Sequence, residues 1–139
     1  MRTTYSNQLA NDIMAAYRNV NKTCDCRTQQ EAYELTILQP APRYYVSASK
    51  ARAYVTPLLR GDSTELAKLQ PLRRQMYQSL AETVVRLSQK RQFIGKSSSY
   101  ILTFAVKEPA PRFFIGTESL RKIHRKQKKH KPYTMNYDL

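Results

Sequence analysis

Seven of the eleven residues from Arg121 to Lys131 are Lys or Arg: Arg121, Lys122, Arg125, Lys126, Lys128, Lys129 and Lys131. Both His residues of the chain lie in the same segment. Cations at that density repel one another in water, and a polyanion relieves the repulsion. Guanidinium and ammonium groups on a helix suit phosphate oxygens, and Arg can also grip a guanine edge. The segment has no spaced set of Asn or Gln to read bases, and Lys dominates towards its end. The chemistry predicted here is contact with nucleic acid, with little sequence preference and a steep salt dependence.

A second arrangement occurs twice. Residues 40–46 read Pro-Ala-Pro-Arg-Tyr-Tyr-Val and residues 109–115 read Pro-Ala-Pro-Arg-Phe-Phe-Ile. Pro fixes φ and keeps the preceding residue out of the helical region, so each copy is extended and pre-ordered. It holds Arg43 or Arg112 beside two aromatics. Such a group can place a guanidinium on phosphate and rings on bases. Equally, the prolines can set a corner, with aromatics in the core and the Arg bonded to a carboxylate or to helix carbonyls. Adjacent residues of an extended segment point to opposite faces, so at most one aromatic of each pair is expected in the core.

Other chemistries find little footing. Cys24-Asp25-Cys26 offers two sulfur ligands, but both His residues are distant in sequence and a structural zinc site needs four ligands. Free thiols are the expected state, since a disulfide across one residue is strained. Only three Gly are present, which disfavours a phosphate-cradling loop, and no His-Glu-x-x-His or Gly-x-Ser-x-Gly occurs. The expectation is a non-enzymatic protein with no cofactor, no metal and no small-molecule substrate. The longest apolar run, Tyr100 to Val106, is short of the roughly 20 residues of a membrane span. Residues 1–6 lack the apolar centre of a secretion signal.

The elements that must position these groups are read from spacing. Leu9, Ile13, Tyr17 and Val20 predict a helix over 6–20, with Ser6 as cap. Leu72, Met76, Leu80, Val84 and Leu87 predict a long helix over 71–91, with Pro71 in its first turn. Ser47 caps a helix over 48–56 ended by Pro57, and Asp62 with Glu65 has the form of a capping box. Tyr33 to Leu38 and Tyr100 to Val106 read as short strands before the two corners. Thr117 caps a basic helix over 118–130, ended by Pro132. The predicted fold is α+β and mostly helical: two copies of a strand, Pro corner and helix (33–56 and 100–124), joined by the long helix, with a small two-stranded sheet. Residues 1–116 form the body, and 117–139 a basic helix and tail.

The net charge of +14 accumulates along the chain. Residues 1–62 hold eight bases and five acids, residues 63–95 six and two, and residues 96–139 ten and three. The Pro-Ala-Pro-Arg-aromatic-aromatic motif followed by a capped helix resembles small, basic, uncharacterised proteins of phages and mobile elements of gut bacteria. The resemblance covers 40–56 and 109–124, and it implies such an origin without carrying over any catalytic residue. The expected function is a structural or assembly protein of a nucleic-acid-containing particle, most simply a phage virion. Its partners would be nucleic acid and other proteins of the assembly, and it would reside in the virion or the host cytoplasm rather than being secreted or membrane-bound. The alternative is a free DNA- or RNA-binding accessory protein or regulator.

Overall fold

The computed structural model describes the backbone of residues 2–138 and the side chains of residues 5–128. The chain folds as helices: α1 (Arg2–Thr23), α2 (Gln29–Ile37), α3 (Ala48–Leu59), α4 (Thr64–Ala67), α5 (Pro71–Ser88), α6 (Ser98–Ala105) and α7 (Thr117–Asp138), with a 3-10 turn at Arg91–Phe93. Hydroxyl caps start three of them. The Thr28 side chain accepts from the Glu31 N–H at 3.1 Å, while the Glu31 carboxylate accepts from the Arg27 N–H at 2.9 Å. Ser47 accepts from Lys50 N–H, and Ser97 from Tyr100 N–H. Each cap satisfies a donor that the first helical turn leaves open.

The predicted strands and two-stranded sheet are therefore corrected: both segments are helical, and among the described residues no strand forms. Tyr33–Leu38 falls in α2 and its first following residue, and Tyr100–Val106 in α6 and its C-cap. Their aromatic and β-branched content favours strand only weakly and locally. Their buried residues decide the matter. Ala32, Tyr33 and Thr36 in α2, and Ile101, Leu102 and Ala105 in α6, are spaced i, i+1, i+4. A helix gathers that spacing into one buried stripe, whereas a strand would split it between two faces.

The two Pro-Ala-Pro corners meet. The Ala41 N–H donates to the Ala110 carbonyl at 3.0 Å, and the Ala110 N–H to the Ala41 carbonyl at 2.9 Å, as one antiparallel bridge. The bridge cannot grow into a ladder, because each Ala is flanked by prolines that have no N–H to donate. Two further bonds tie each corner to the other copy's helix. The Tyr44 N–H donates to the Val106 carbonyl and the Phe113 N–H to the Ile37 carbonyl, both at 3.0 Å. They satisfy carbonyls left open at the C-terminal ends of α6 and α2.

These four bonds exchange under an approximate two-fold axis through the alanine pair. The packing of elements exchanges with them. α1 lies on α2 as α5 lies on α6; α3 crosses to α5 and α6 as α7 crosses to α1 and α2. Ile13, Met14, Tyr17 and Val20 are buried on α1, and Leu80, Ala81, Val84 and Leu87 answer them at the same spacing on α5. Near the axis the aromatics stack crosswise, Tyr44 on Phe114 and Tyr45 on Phe113, each at an interplanar angle of 11°. Tyr44 and Phe113 are fully buried, while Tyr45 and Phe114 are half-buried. The axis matches Tyr33 with Leu102. The copies differ in the linker before that helix, which is 24–28 in the first and 89–97 in the second.

Helix limits also move. α1 begins at Arg2 and continues to Thr23, beyond the predicted 6–20. α3 runs through Pro57 to Leu59, and α7 through Pro132 to Asp138, where each proline was expected to end its helix. Proline's fixed φ is itself helical, so at Pro57 the helix forgoes one backbone bond rather than stopping. α5 closes at Ser88, with the 3-10 turn following, instead of running to 91. The Asp62 carboxylate accepts from Thr64 N–H at 3.0 Å, but α4 starts after Ser63 and the predicted reciprocal box with Glu65 does not form.

Candidate nucleic-acid interface

α7 divides into a docked face and an outer face. Leu120 is fully buried, and Ile123 packs against the core. Arg121 is held by two partners: its Nη1 pairs with Glu118 at 2.9 Å, and its Nη2 donates to Gln30 Oε1 at 3.1 Å. Gln30 also reaches the Thr117 hydroxyl, so α2 holds the first turn of α7 through side chains as well as by packing. His124 lies between α1 and α2. Its Nδ1 is 2.8 Å from the Tyr33 hydroxyl, and its ring centroid is 4.8 Å from that of Tyr17. Thr117, Leu120, Arg121 and His124 fall at helical i, i+3, i+4, i+7 positions, which is why they share one face.

The remaining positions turn outward. Lys122, Arg125, Lys126 and Lys128 are exposed. Among the described residues no carboxylate lies within ion-pairing distance of any of them, and Glu118 is already engaged by Arg121. The side chains of Lys129 and Lys131 lie outside the described residues. Exposed and with no paired carboxylate, the four cations attract anions from solution.

Arg43 and Arg112 are placed differently. Arg43 Nε donates to the Tyr44 carbonyl at 2.9 Å, and Arg112 Nε to the Phe113 carbonyl at 3.1 Å. Their guanidinium carbons lie 4.9 Å from the Tyr5 ring centroid and 5.8 Å from that of Phe114. Both are half-buried and brace the corner they belong to. The structure thus leaves Lys122, Arg125, Lys126 and Lys128 exposed on α7, with Lys122, Arg125 and Lys126 at i, i+3, i+4 and Lys128 on the side of Arg121; it ties Arg121 to Glu118 and Gln30, and sets Arg43 and Arg112 into the corners.

The spacing that places Tyr17 on the apolar face of the first helix does not bring it together with Tyr33 and His124. The signal available was the spacing of His124 from Leu120 and Ile123, which places it on their stripe. The two-fold axis matches Tyr17, Tyr33 and His124 with Val84, Leu102 and Val55, which are buried and apolar. Burial raises the Tyr33 phenol above the usual tyrosine range, with Tyr17 adding to the effect and Arg121 and Arg125 opposing it. Tyr45 donates to Asp12 Oδ2 at 2.6 Å, and its phenol is raised by burial first and by that carboxylate second. Cys24 and Cys26 are free thiols, and among the described residues no three of His, Cys, Asp or Glu converge. Among the described residues no helix is long and apolar enough to cross a membrane. The chain matches no known family, no curated protein and no solved structure.

Proposed function

We propose that this is a non-enzymatic structural or assembly protein of a nucleic-acid-containing particle of phage type, which holds a nucleic-acid backbone on the outer face of α7. One observation carries the reading: α7 is fastened by Leu120, Arg121 and His124 while Lys122, Arg125, Lys126 and Lys128 stand exposed, with no carboxylate paired to them among the described residues. A helix held on one side presents its cations at fixed spacing, and their ordering is met by folding rather than at the moment of binding. Arg125 is the one side chain of this group suited to a guanine edge, so binding is chiefly to phosphate, with little sequence preference. The particle is suggested by the resemblance of the corner motif, and a repeat built around an internal axis suits a scaffold.

The test uses the whole chain, because Leu120 is core and removing everything after Ile115 would take core as well as charge. Duplex affinity is measured against salt for the parent and for a variant with Lys122, Arg125, Lys126 and Lys128 all changed to Gln. Each phosphate contact contributes about −0.9 to the slope of log K on log salt, so the variant's slope flattens by roughly 3 to 4. An unchanged slope excludes α7 as the contact. Purified particles should contain the chain at fixed stoichiometry, and its absence from them excludes the particle role.

A further inference from the structure

Residues 83–107 contain no Asp or Glu and five bases: Arg86, Lys90, Arg91, Lys96 and Lys107. Four large apolar side chains in this stretch are exposed besides: Ile94 at 69%, Val85 at 49%, Tyr100 at 46% and Phe104 at 41%. Tyr100 and Phe104 lie one turn apart on the exposed side of α6, and exposed Lys107 follows in the turn just after the helix. Beneath them lies Phe93, which is buried, with centroids 5.2 Å from Phe104 and 6.3 Å from Tyr100. Tyr100 and Phe104 are themselves 5.2 Å apart. Lys96 Nζ stands 5.5 Å from the centroid of the Tyr100 ring. The nearest acid in sequence, Glu108, faces Arg86 at 3.8 Å.

The internal repeat supplies a comparison. On the matching face of α2 the two-fold axis sets Glu31 opposite Tyr100, Leu35 opposite Phe104 and Leu38 opposite Lys107. The first half therefore shows aliphatic residues edged with acid where the second shows rings edged with cations. The longer linker 89–97 builds the difference. It carries the 3-10 turn that seats Phe93, Gly95 at φ +80, and Lys96. At Gly95 the chain takes the left-handed turn that glycine accommodates and that returns it to the Ser97 cap.

We infer that the outer face of α6 and the turn before it form a docking surface for single-stranded nucleic acid. Tyr100 and Phe104 offer π faces to unpaired bases, and Lys90, Arg91, Lys96 and Lys107 offer charge to the backbone between them. Charge selects the occupant, since four exposed bases between residues 90 and 107, with no acid among them, call for a polyanion. The rings select its form, since stacking is open to unpaired bases and closed to paired ones. α6 packs on α3 and α5, whereas α7 packs on α1 and α2. The two surfaces thus belong to opposite sides of the internal axis, and one chain can hold two segments of nucleic acid. The inference shares with the reading of α7 only the supposition of a nucleic-acid ligand.

Binding of the full chain to an oligothymidylate of about 16 nucleotides, and to a duplex of that length, is measured by anisotropy at fixed salt. Tyr100→Ala and Phe104→Ala should each weaken oligothymidylate binding about fivefold or more and leave duplex binding unchanged. Phe104→Leu keeps an apolar contact with Phe93 but lacks the ring, so it should behave as Phe104→Ala while keeping the parent's thermal midpoint. Parent-like oligothymidylate affinity in Phe104→Leu, or no binding of the parent at low salt, overturns the proposal. So does a parent that self-associates in sedimentation and loses that association in these variants, which makes the face a protein interface. The α7 variant with four Gln tests the other reading separately. If it binds like the parent while the ring variants fail, the α7 reading falls and this one stands.

Discussion

Leu120→Ala tests whether α7 belongs to the body or merely follows it. Leu120 is 0% exposed, and it sits on the face of α7 that meets α1 and α2. Truncation removes the transfer free energy of the lost side-chain carbons and leaves a cavity, which together cost about 2–5 kcal/mol at fully buried leucines. At roughly 4 °C per kcal/mol for a domain of this size, the thermal midpoint should fall by roughly 8–20 °C. The control is Lys126→Gln on the outer face of the same helix, expected within about 0.5 kcal/mol of the parent. Scanning calorimetry measures both, and duplex binding well below the midpoint measures function. Leu120→Ala should lose stability and keep affinity, and Lys126→Gln the reverse. A Leu120→Ala cost as small as that of Lys126→Gln would falsify the docked placement of α7, and with it the argument that its cations are presented in a fixed array.

Three further outcomes follow from the interior. The Tyr44 hydroxyl lies 2.6 Å from Ser79 Oγ and 3.3 Å from Thr83 Oγ1, while its counterpart Phe113 has no hydroxyl. Tyr44→Phe should therefore cost about 1 kcal/mol in denaturant unfolding, and a neutral result would show the bond contributes nothing. Thr56 Oγ1 is buried without a hydrogen-bond partner, so Thr56→Val should stabilise by about 1 kcal/mol; a loss of stability would mean the hydroxyl has a partner in solution. Tyr33 and Tyr45 have raised phenol pKa values. In an alkaline tyrosinate titration they should stay protonated after tyrosines of ordinary pKa, about 10, have ionised. Their contribution to stability is whole below that value and is lost as pH rises above it towards the folded-state values, because the unfolded chain ionises first. Ten tyrosines titrating as one ordinary class would contradict the burial of these two.

The sequence by itself determined the repeat, the charge and most helix positions. Pro-Ala-Pro-Arg followed by two aromatics forms the same corner twice because proline geometry is local. Ser47 capped α3 as expected, and the stripe of Leu80, Val84 and Leu87 lay on the buried face of α5. The density of Lys and Arg after Thr117 is a property of composition alone. The strand reading of 33–38 and 100–106 failed because aromatic and β-branched content is a weak preference. Hydroxyl caps just ahead of both segments, together with an i, i+1, i+4 buried set, outweigh it. Only the tertiary structure decided what the repeat is for. Pairing Ala41 with Ala110 sends α3 and α7 across to the opposite halves. That exchange buries Leu120 and ties Arg121 and His124 to α2, leaving Lys122, Arg125, Lys126 and Lys128 exposed. Spacing along one helix could show which residues share a face. Which face meets the body depended on a bridge between residues far apart in the chain.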